Sequence, residues 1–357
     1  MSPVRIDGRI DVTTLDGIAR SAARQEADGY RALWTSESSH DPFLPLVTVA
    51  QHTERVRLGC AIAVAFARSP MTLAGTVHDL QTYSGGRFML GLGTQVRAHI
   101  ERRFSMPWSA PLPRIEEFVA ATRAILTAWE ERTPLHFTGE HYRHTLMTPF
   151  FSPPPHGHGL PPIFLAAVGT GMARTAGRVA DGVFTHSVAT PRYLRERIVP
   201  AVLDGIASAG RQRADVEINC RGFVATGRDE KELAAAKEAV RARLAFYGST
   251  PAYRPVFELH GWQDLATELH RLSRSDEPDR WTKMAERVDD EVLSAFAVVG
   301  EPATVARQIV QRYGDLADVY RYYTPYPADP AMLAGITRDL SETAARGGRE
   351  DDRDQPQ

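Results

Sequence analysis

Apolar and polar positions along the chain follow two periods, and the switching between them lays out the fold. Short, mostly apolar runs suited to buried strands recur at 6–12 (interrupted by Gly8), 30–35, 56–64, 85–92, 163–167, 183–186, 216–226 and 318–323. Between them apolar residues fall at helical spacing. Leu15, Ile18, Ala19, Ala22, Ala23 and Ala27 share one helix face, preceded by Thr14 and ended by Gly29. Asp41-Pro42 is a helix start, Asp as N-cap and Pro in the first turn, for a helix to about Thr53. Pro70 opens a helix to about Tyr83, and Gly169-Thr-Gly171 begins one that Ala180-Asp-Gly182 ends. Further helices are predicted over 114–129, 193–209 and 229–246, from Glu301-Pro302 onward, and over 332–345. Residues 136–144 read as a small hairpin, 250–290 as a largely helical insertion, and 346–357 as a charged, disordered tail.

Strands separated by helices imply a parallel sheet, and the unbroken apolar run at 56–64 implies a strand covered on both faces. No mid-chain linker divides two halves. A closed (β/α)8 TIM barrel over residues 1–345, with insertions at about 100–162 and 250–290, therefore fits better than a doubly wound sheet. Such a barrel gathers the carboxyl ends of its strands, and the loops leaving them, on one rim. That rim would carry Glu37, Ser38 and His40 after the second strand, and Ala61 and Ile62 at the end of the third. It would also carry Thr94, Gln95 and His99 after the fourth, 168–172 after the fifth, and His186 after the sixth.

Composition narrows the partners. Hydrophobic residues make up 43%, enough for a large core, and 42 basic against 44 acidic residues leave a net charge of −2. No global field draws the chain to nucleic acid or acidic lipid. The longest apolar run is far too short to span a bilayer, and the amino terminus carries no secretory pattern, so a cytoplasmic protein is expected. Cys60 and Cys220 form neither a disulfide framework nor a metal pair; Cys60 reads as a small core residue. His136, His141, His144, His156 and His158 have no metal-ligand spacing and read as surface residues, so no metal is expected.

The chemistry centres on Ser84-Gly-Gly-Arg-Phe-Met-Leu-Gly-Leu-Gly-Thr94. A dinucleotide fingerprint fails here, because Val96 stands where its third glycine is needed. Gly91 and Gly93 admit two readings: room for a flat ligand to approach the backbone, or a closely packed strand–helix corner. Gly169 and Gly171 let amides converge at a helix amino end, which suits an anion; a plain start capped by Thr170 is the other reading. Arg97, Arg102 and Arg103 are either carboxylate partners or a solvated face. His186, His40, Glu37 and His99 are the candidate acids and bases, with His186 favoured by its place at a strand end.

In this order, Leu33-Trp-Thr-Ser-Glu37, Glu54-Arg-Val-Arg-Leu-Gly59, Arg68-Ser-Pro70, Ser84-Gly-Gly-Arg87, Gly91-Leu-Gly-Thr94 and Ala180-Asp-Gly182 resemble the luciferase-like superfamily. They are most similar to its branch of coenzyme F420-dependent oxidoreductases, over about residues 5–340. The resemblance implies a (β/α)8 barrel, usually dimeric, with a deazaflavin or flavin ring in the barrel mouth. It also implies a non-prolyl cis peptide, here Ala61–Ile62, behind that ring. The cofactor's phosphate-bearing tail would lie against Ala166, Ala167, Val168, Gly169, Thr170, Gly171 and Met172, and an oligoglutamate tail could pair with the arginines after strand four. The chain departs from the sugar-phosphate-oxidising members. Glu37-Ser38 stands where they have an acidic residue followed by His, and Val96 where they have Glu. A base for hydroxyl oxidation is therefore lacking, and reduction of an activated C=C or C=N bond of a small molecule is the expected activity. An FMNH₂- and O₂-dependent monooxygenase, with FMN as cofactor, is the alternative; a non-catalytic flavin- or deazaflavin-binding protein is a further one.

Overall fold

The computed structural model describes residues 4–12 and 16–351. Among them, eight strands run parallel: β1 Arg5–Arg9, β2 Ala32–Thr35, β3 Arg57–Cys60, β4 Phe88–Gly93, β5 Ile163–Ala167, β6 Gly182–Thr185, β7 Glu217–Ala225 and β8 Val319–Tyr323. Pairing follows the order β7-β8-β1-β2-β3-β4-β5-β6, and a further pairing joins β6 to β7, the closed order of a (β/α)8 barrel. Representative registers are Gly8 opposite Leu33, Ala32 opposite Arg57, Leu58 opposite Phe88, Leu90 opposite Ile163 and Asn219 opposite Val319. Every residue of β4 is buried, as the continuous apolar pattern requires of a strand covered on both faces. No helix among the described residues is long and apolar enough to cross a membrane.

The chain packs as two compact units, each built from separate stretches. One gathers the chain up to Asp7, Thr185–Pro200 and the chain from Glu217; the other holds Gly8–Phe184 and Ala201–Val216. The second unit is centred on Ala32, Trp34, Met89, Phe164 and Phe184. Phe164 and Phe184 stack with centroids 4.9 Å apart, and the Trp34 ring stands edge-on to Phe184 at 4.9 Å.

Several elements differ from the sequence pattern for identifiable reasons. The run at 56–64 is not one strand. It breaks after Cys60 at the cis Ala61–Ile62 bond and resumes as Ala63–Val64 beside Leu92 and Gly93. Asp41 does take the N–H groups of Phe43 (2.8 Å) and Leu44 (3.0 Å), yet the helix itself begins at Leu44. The expected start at Thr14 lies outside the described residues, and that helix is seen over Ile18–Ala27. A short helix at Arg97–Arg102 and a strand at Ala297–Val299 beside β7 have too few residues to show a period. The final helix runs over Pro330–Asp351, so residues 346–351 are helical rather than disordered. No proline interrupts the chain between Pro330 and Pro356. The rest of the expected tail lies outside the described residues.

Candidate active site

In the second unit the candidate residues cluster where β2, β3 and β4 end. The segment after β3 is tied to the one after β2. Ala61 N–H donates to Thr35 O (2.8 Å), and Glu37 N–H to Ile62 O (3.2 Å). The Glu37 carboxylate accepts Val64 N–H at 2.7 Å and Arg68 Nη1 at 2.7 Å through the same oxygen. Its side chain is 8% exposed. The sequence offers Glu37 as a candidate base; the structure gives it a buried ion pair instead. Ala61 and Ile62 are half-buried and, with Ala166, pack on the Trp34–Phe164–Phe184 cluster. Together they form an apolar shelf.

The glycines of β4 serve the protein's own packing. A Cβ on Gly91 would lie 2.1 Å from Cys60 O and 2.6 Å from Phe184 Cε2. One on Gly93 would meet Ile62 Cδ1 at 2.8 Å. Gly93 thus makes room for Ile62 on the shelf, and Gly91 lets β4 press against β3. Of the two sequence readings, close packing is the one seen. Cys60 is buried, and its thiol donates to Gly91 O (3.2 Å); burial pushes its pKa up to about 12, so it is an inert core group.

After β4, Gln95 adopts a left-handed backbone (φ 59°), a costly conformation for a residue with a side chain. Its Oε1 accepts Val96 N–H at 3.1 Å, and Thr94 Oγ1 donates to Gln95 O at 3.2 Å. His99 is exposed, as are Ser38 and His40. Arg97 pairs with Glu101 at 2.9 Å, while Arg103 donates to Ser38 O and covers the Phe104 ring. Part of the arginine run is therefore engaged within the protein. After β5, the helix Thr170–Val179 has Gly169 as its N-cap, no capping side chain and no acid in its first turn. Thr170 is the first helical residue, so it does not cap. Gly169, Thr170 and Gly171 are exposed, and Val168 and Met172 are half-buried.

His186 belongs to the first unit and lies one residue past β6. Its ring stacks on Tyr253 (4.7 Å, 22°) and meets Tyr247 edge-on at 4.8 Å. Val188 N–H donates to Nδ1 at 3.2 Å, so the neutral ring carries its proton on Nε2 and donates it to the Tyr253 hydroxyl (3.3 Å). Burial, with Arg221 second, pushes the His186 pKa down to about 3. Near neutral pH this histidine is therefore uncharged. Tyr253, whose pKa is raised by burial and then by Tyr323, is protonated in the same range.

Sequence reasoning misses Arg68 and Tyr253. Arg68-Ser-Pro70 enters the sequence reading only as a piece of the family resemblance and a helix start at Pro70, and no periodic signal marks Tyr253 as the partner of a residue 67 positions away. Nor are all the loop histidines at the surface. The His156 side chain is 4% exposed, with Nδ1 3.4 Å from Glu130 and its ring 4.8 Å from His78. Among the described residues no group of three or more His, Cys, Asp or Glu could hold a metal ion.

A parallel (β/α)8 barrel with polar side chains beyond its strand ends is an enzyme architecture. The luciferase-like monooxygenase family model matches residues 1–319, and the chain belongs to that family. An uncharacterized protein of Mycobacterium tuberculosis is 52% identical over 315 residues, covering 88% of this chain and 92% of its own. A 5,10-methylenetetrahydromethanopterin reductase of Archaeoglobus fulgidus is 25% identical over 291 residues, 80% of this chain and 82% of that one. Among solved structures, the coenzyme F420 dependent tetrahydromethanopterin reductase from Methanopyrus kandleri shares the fold. Its TM-score is 0.78 at 19% identity, over 96% of this chain and 99% of that chain.

Proposed function

We propose that this protein is a coenzyme F420-dependent oxidoreductase that moves a hydride between the deazaflavin and a small organic substrate, in the direction that reduces an activated C=C or C=N bond. The observation that carries this reading is the shelf of Ala61, Ile62 and Ala166 on its aromatic bed, since a flat ring gains by covering half-buried apolar surface. The exposed, uncapped and acid-free helix start at Gly169–Gly171 suits a phosphate. When bound, the coenzyme supplies the hydride chemistry. This chain's residues would orient the ring on the shelf, hold the phosphate at 169–171 and meet an oligoglutamate tail with Arg97, Arg102 and Arg103.

The reductive direction is supported by the reductase named among the relatives and by the ion pair with Arg68 that engages Glu37. For the accompanying proton we propose the pair of His186 and Tyr253. His186 Nε2–H donates to the Tyr253 oxygen and leaves the Tyr253 O–H to donate onward. Exposed His40 is the alternative source.

The family's description as monooxygenases favours one second reading, FMNH₂ with dioxygen. A single titration separates the two. The purified protein is expected to bind F420 more tightly than FMN, with F420 affinity falling as salt rises because exposed arginines hold its tail. Preferential FMN binding, with product formation that stops when oxygen is removed, would overturn the proposal in favour of the monooxygenase. Retention of either coenzyme without turnover of any substrate would leave a carrier.

We further propose a homodimer. Leu44 (66% exposed), Val47 and Tyr83 line an outward groove of about 600 Å³ with Phe43, Pro153 and Pro154, an apolar face suited to a second copy. Val47→Asp is expected to shift the protein from dimer to monomer in sedimentation velocity. A wild-type protein that sediments as a monomer removes this assignment.

A further inference from the structure

We infer that Glu37, with Arg68, is a positioning residue that sets the shelf on which the coenzyme ring would lie, and is not a proton-transfer group; this rests on the reading under Proposed function. Glu37 makes two connections to the segment after β3, one through its backbone to Ile62 O and one through its carboxylate to Val64 N–H. Arg68 closes the arrangement. Its Nη1 donates both to the Glu37 carboxylate and, at 3.1 Å, to Val64 O, so the ion pair clamps the amide and the carbonyl of one residue. Arg68 is itself held from the other side, with Nη2 3.8 Å from Asp41 Oδ2 and its guanidinium 5.5 Å from the Phe43 ring.

The clamp bears directly on the shelf. Ile62 lies between the two residues tied down, Ala61 and Val64, and its side chain fills the space over Gly93. A change in the height of this segment moves Ile62 over Gly93 and so reshapes the shelf that Ile62 forms with Ala61 and Ala166. Both donors to Glu37 fall on one carboxylate oxygen, so the charge is turned toward Val64 and Arg68, the segment whose position it sets. The 8% exposure of its side chain and its two donors at 2.7 Å describe a fixed anion. Removing Arg68 leaves the Glu37 charge buried without its cation, and removing Glu37 leaves Arg68 only the longer Asp41 contact, whereas removing both relieves the penalty.

The test compares Glu37→Gln, Arg68→Met and the double variant. F420 affinity is read by quenching of coenzyme fluorescence, and the bound coenzyme's absorption spectrum is recorded alongside. Each single variant is expected to weaken F420 binding about tenfold or more and to shift the bound spectrum in the same sense. The double variant is expected to be no worse than either single one. Unchanged affinity and spectrum in Glu37→Gln, or losses that simply multiply in the double variant, would overturn the inference. Should a single variant fail to fold, the double variant, which strands no charge, is compared with wild type instead: faster exchange over residues 58–69 is expected, and exchange equal to wild type would overturn the inference.

Hydrogen–deuterium exchange of a peptide covering residues 58–69 is measured on the same proteins without coenzyme. Faster exchange there in both single variants is expected, and unchanged exchange would also overturn the inference. If wild-type protein binds FMN and not F420, the functional reading fails while the FMN titration and the exchange data still test Glu37.

Discussion

Gly91→Ala is expected to destabilise the protein by about 3 kcal/mol or more, the upper end of the cost of overpacking a core. The added methyl would lie 2.1 Å from the Cys60 carbonyl oxygen and 2.6 Å from the Phe184 ring. Neither neighbour can yield cheaply. The carbonyl belongs to β3, beside which β4 is hydrogen-bonded, and Phe184 is stacked on Phe164 within the central cluster. Gly93→Ala provides the contrast. Its methyl would meet the far end of Ile62, which can rotate, so that variant should fold with a smaller loss and instead disturb the shelf. Urea unfolding of the two variants measures the difference. A Gly91→Ala protein with an unshifted midpoint and lost coenzyme binding would restore the view that Gly91 exists for ligand approach.

That distinction marks where sequence stops being sufficient. The alternation of apolar runs and helical spacing identifies all eight barrel strands, because strands covered on both faces and amphipathic helices must have those patterns whatever their partners. Pro70 and Ser69 fix one helix start to the residue, since capping is a local matter. Pattern cannot tell whether a glycine is small for a ligand or for a neighbouring strand. The sequence of Gly91 and Gly93 is compatible with both, and the answer lies in Cys60, Phe184 and Ile62, whose approach is a tertiary fact.

The same limit governs charge. Glu37 is legible as an acid at a strand end, but its pairing depends on Arg68, which enters the network across a break in β3. The segment 61–62 is placed by family resemblance, as small apolar residues alone do not announce such a break. The sequence puts His186 correctly at the end of its strand and leaves its protonation state unread. A distant insertion brings Tyr253 against it, and β7 brings Arg221 near.

His186 accordingly makes the protein's acid sensitivity measurable at one residue. Its ordinary pKa, about 6.5, applies in the unfolded chain, while burial and Arg221 hold the folded value at about 3. Between these limits the unfolded chain takes up a proton that the folded protein refuses. The contribution is therefore complete above about pH 6.5 and is lost as pH falls towards 3, at about 1.4 kcal/mol per pH unit. At pH 4.5 the loss should reach about 2–3 kcal/mol. The groups around the ring reinforce this state: Arg221 is a fixed cation, and Tyr253 and Tyr247, both with pKa values raised by burial, supply no negative charge. His186→Gln keeps a donor for the Tyr253 hydroxyl and removes the titration. Between pH 7.5 and 4.5, urea unfolding should therefore show wild type losing about 2–3 kcal/mol more than the variant. Equal losses in the two proteins would mean that His186 takes up its proton in the folded state. It would then be a cationic acid after all, and turnover should show its inflection near pH 6.5, which the neutral imidazole described here does not give.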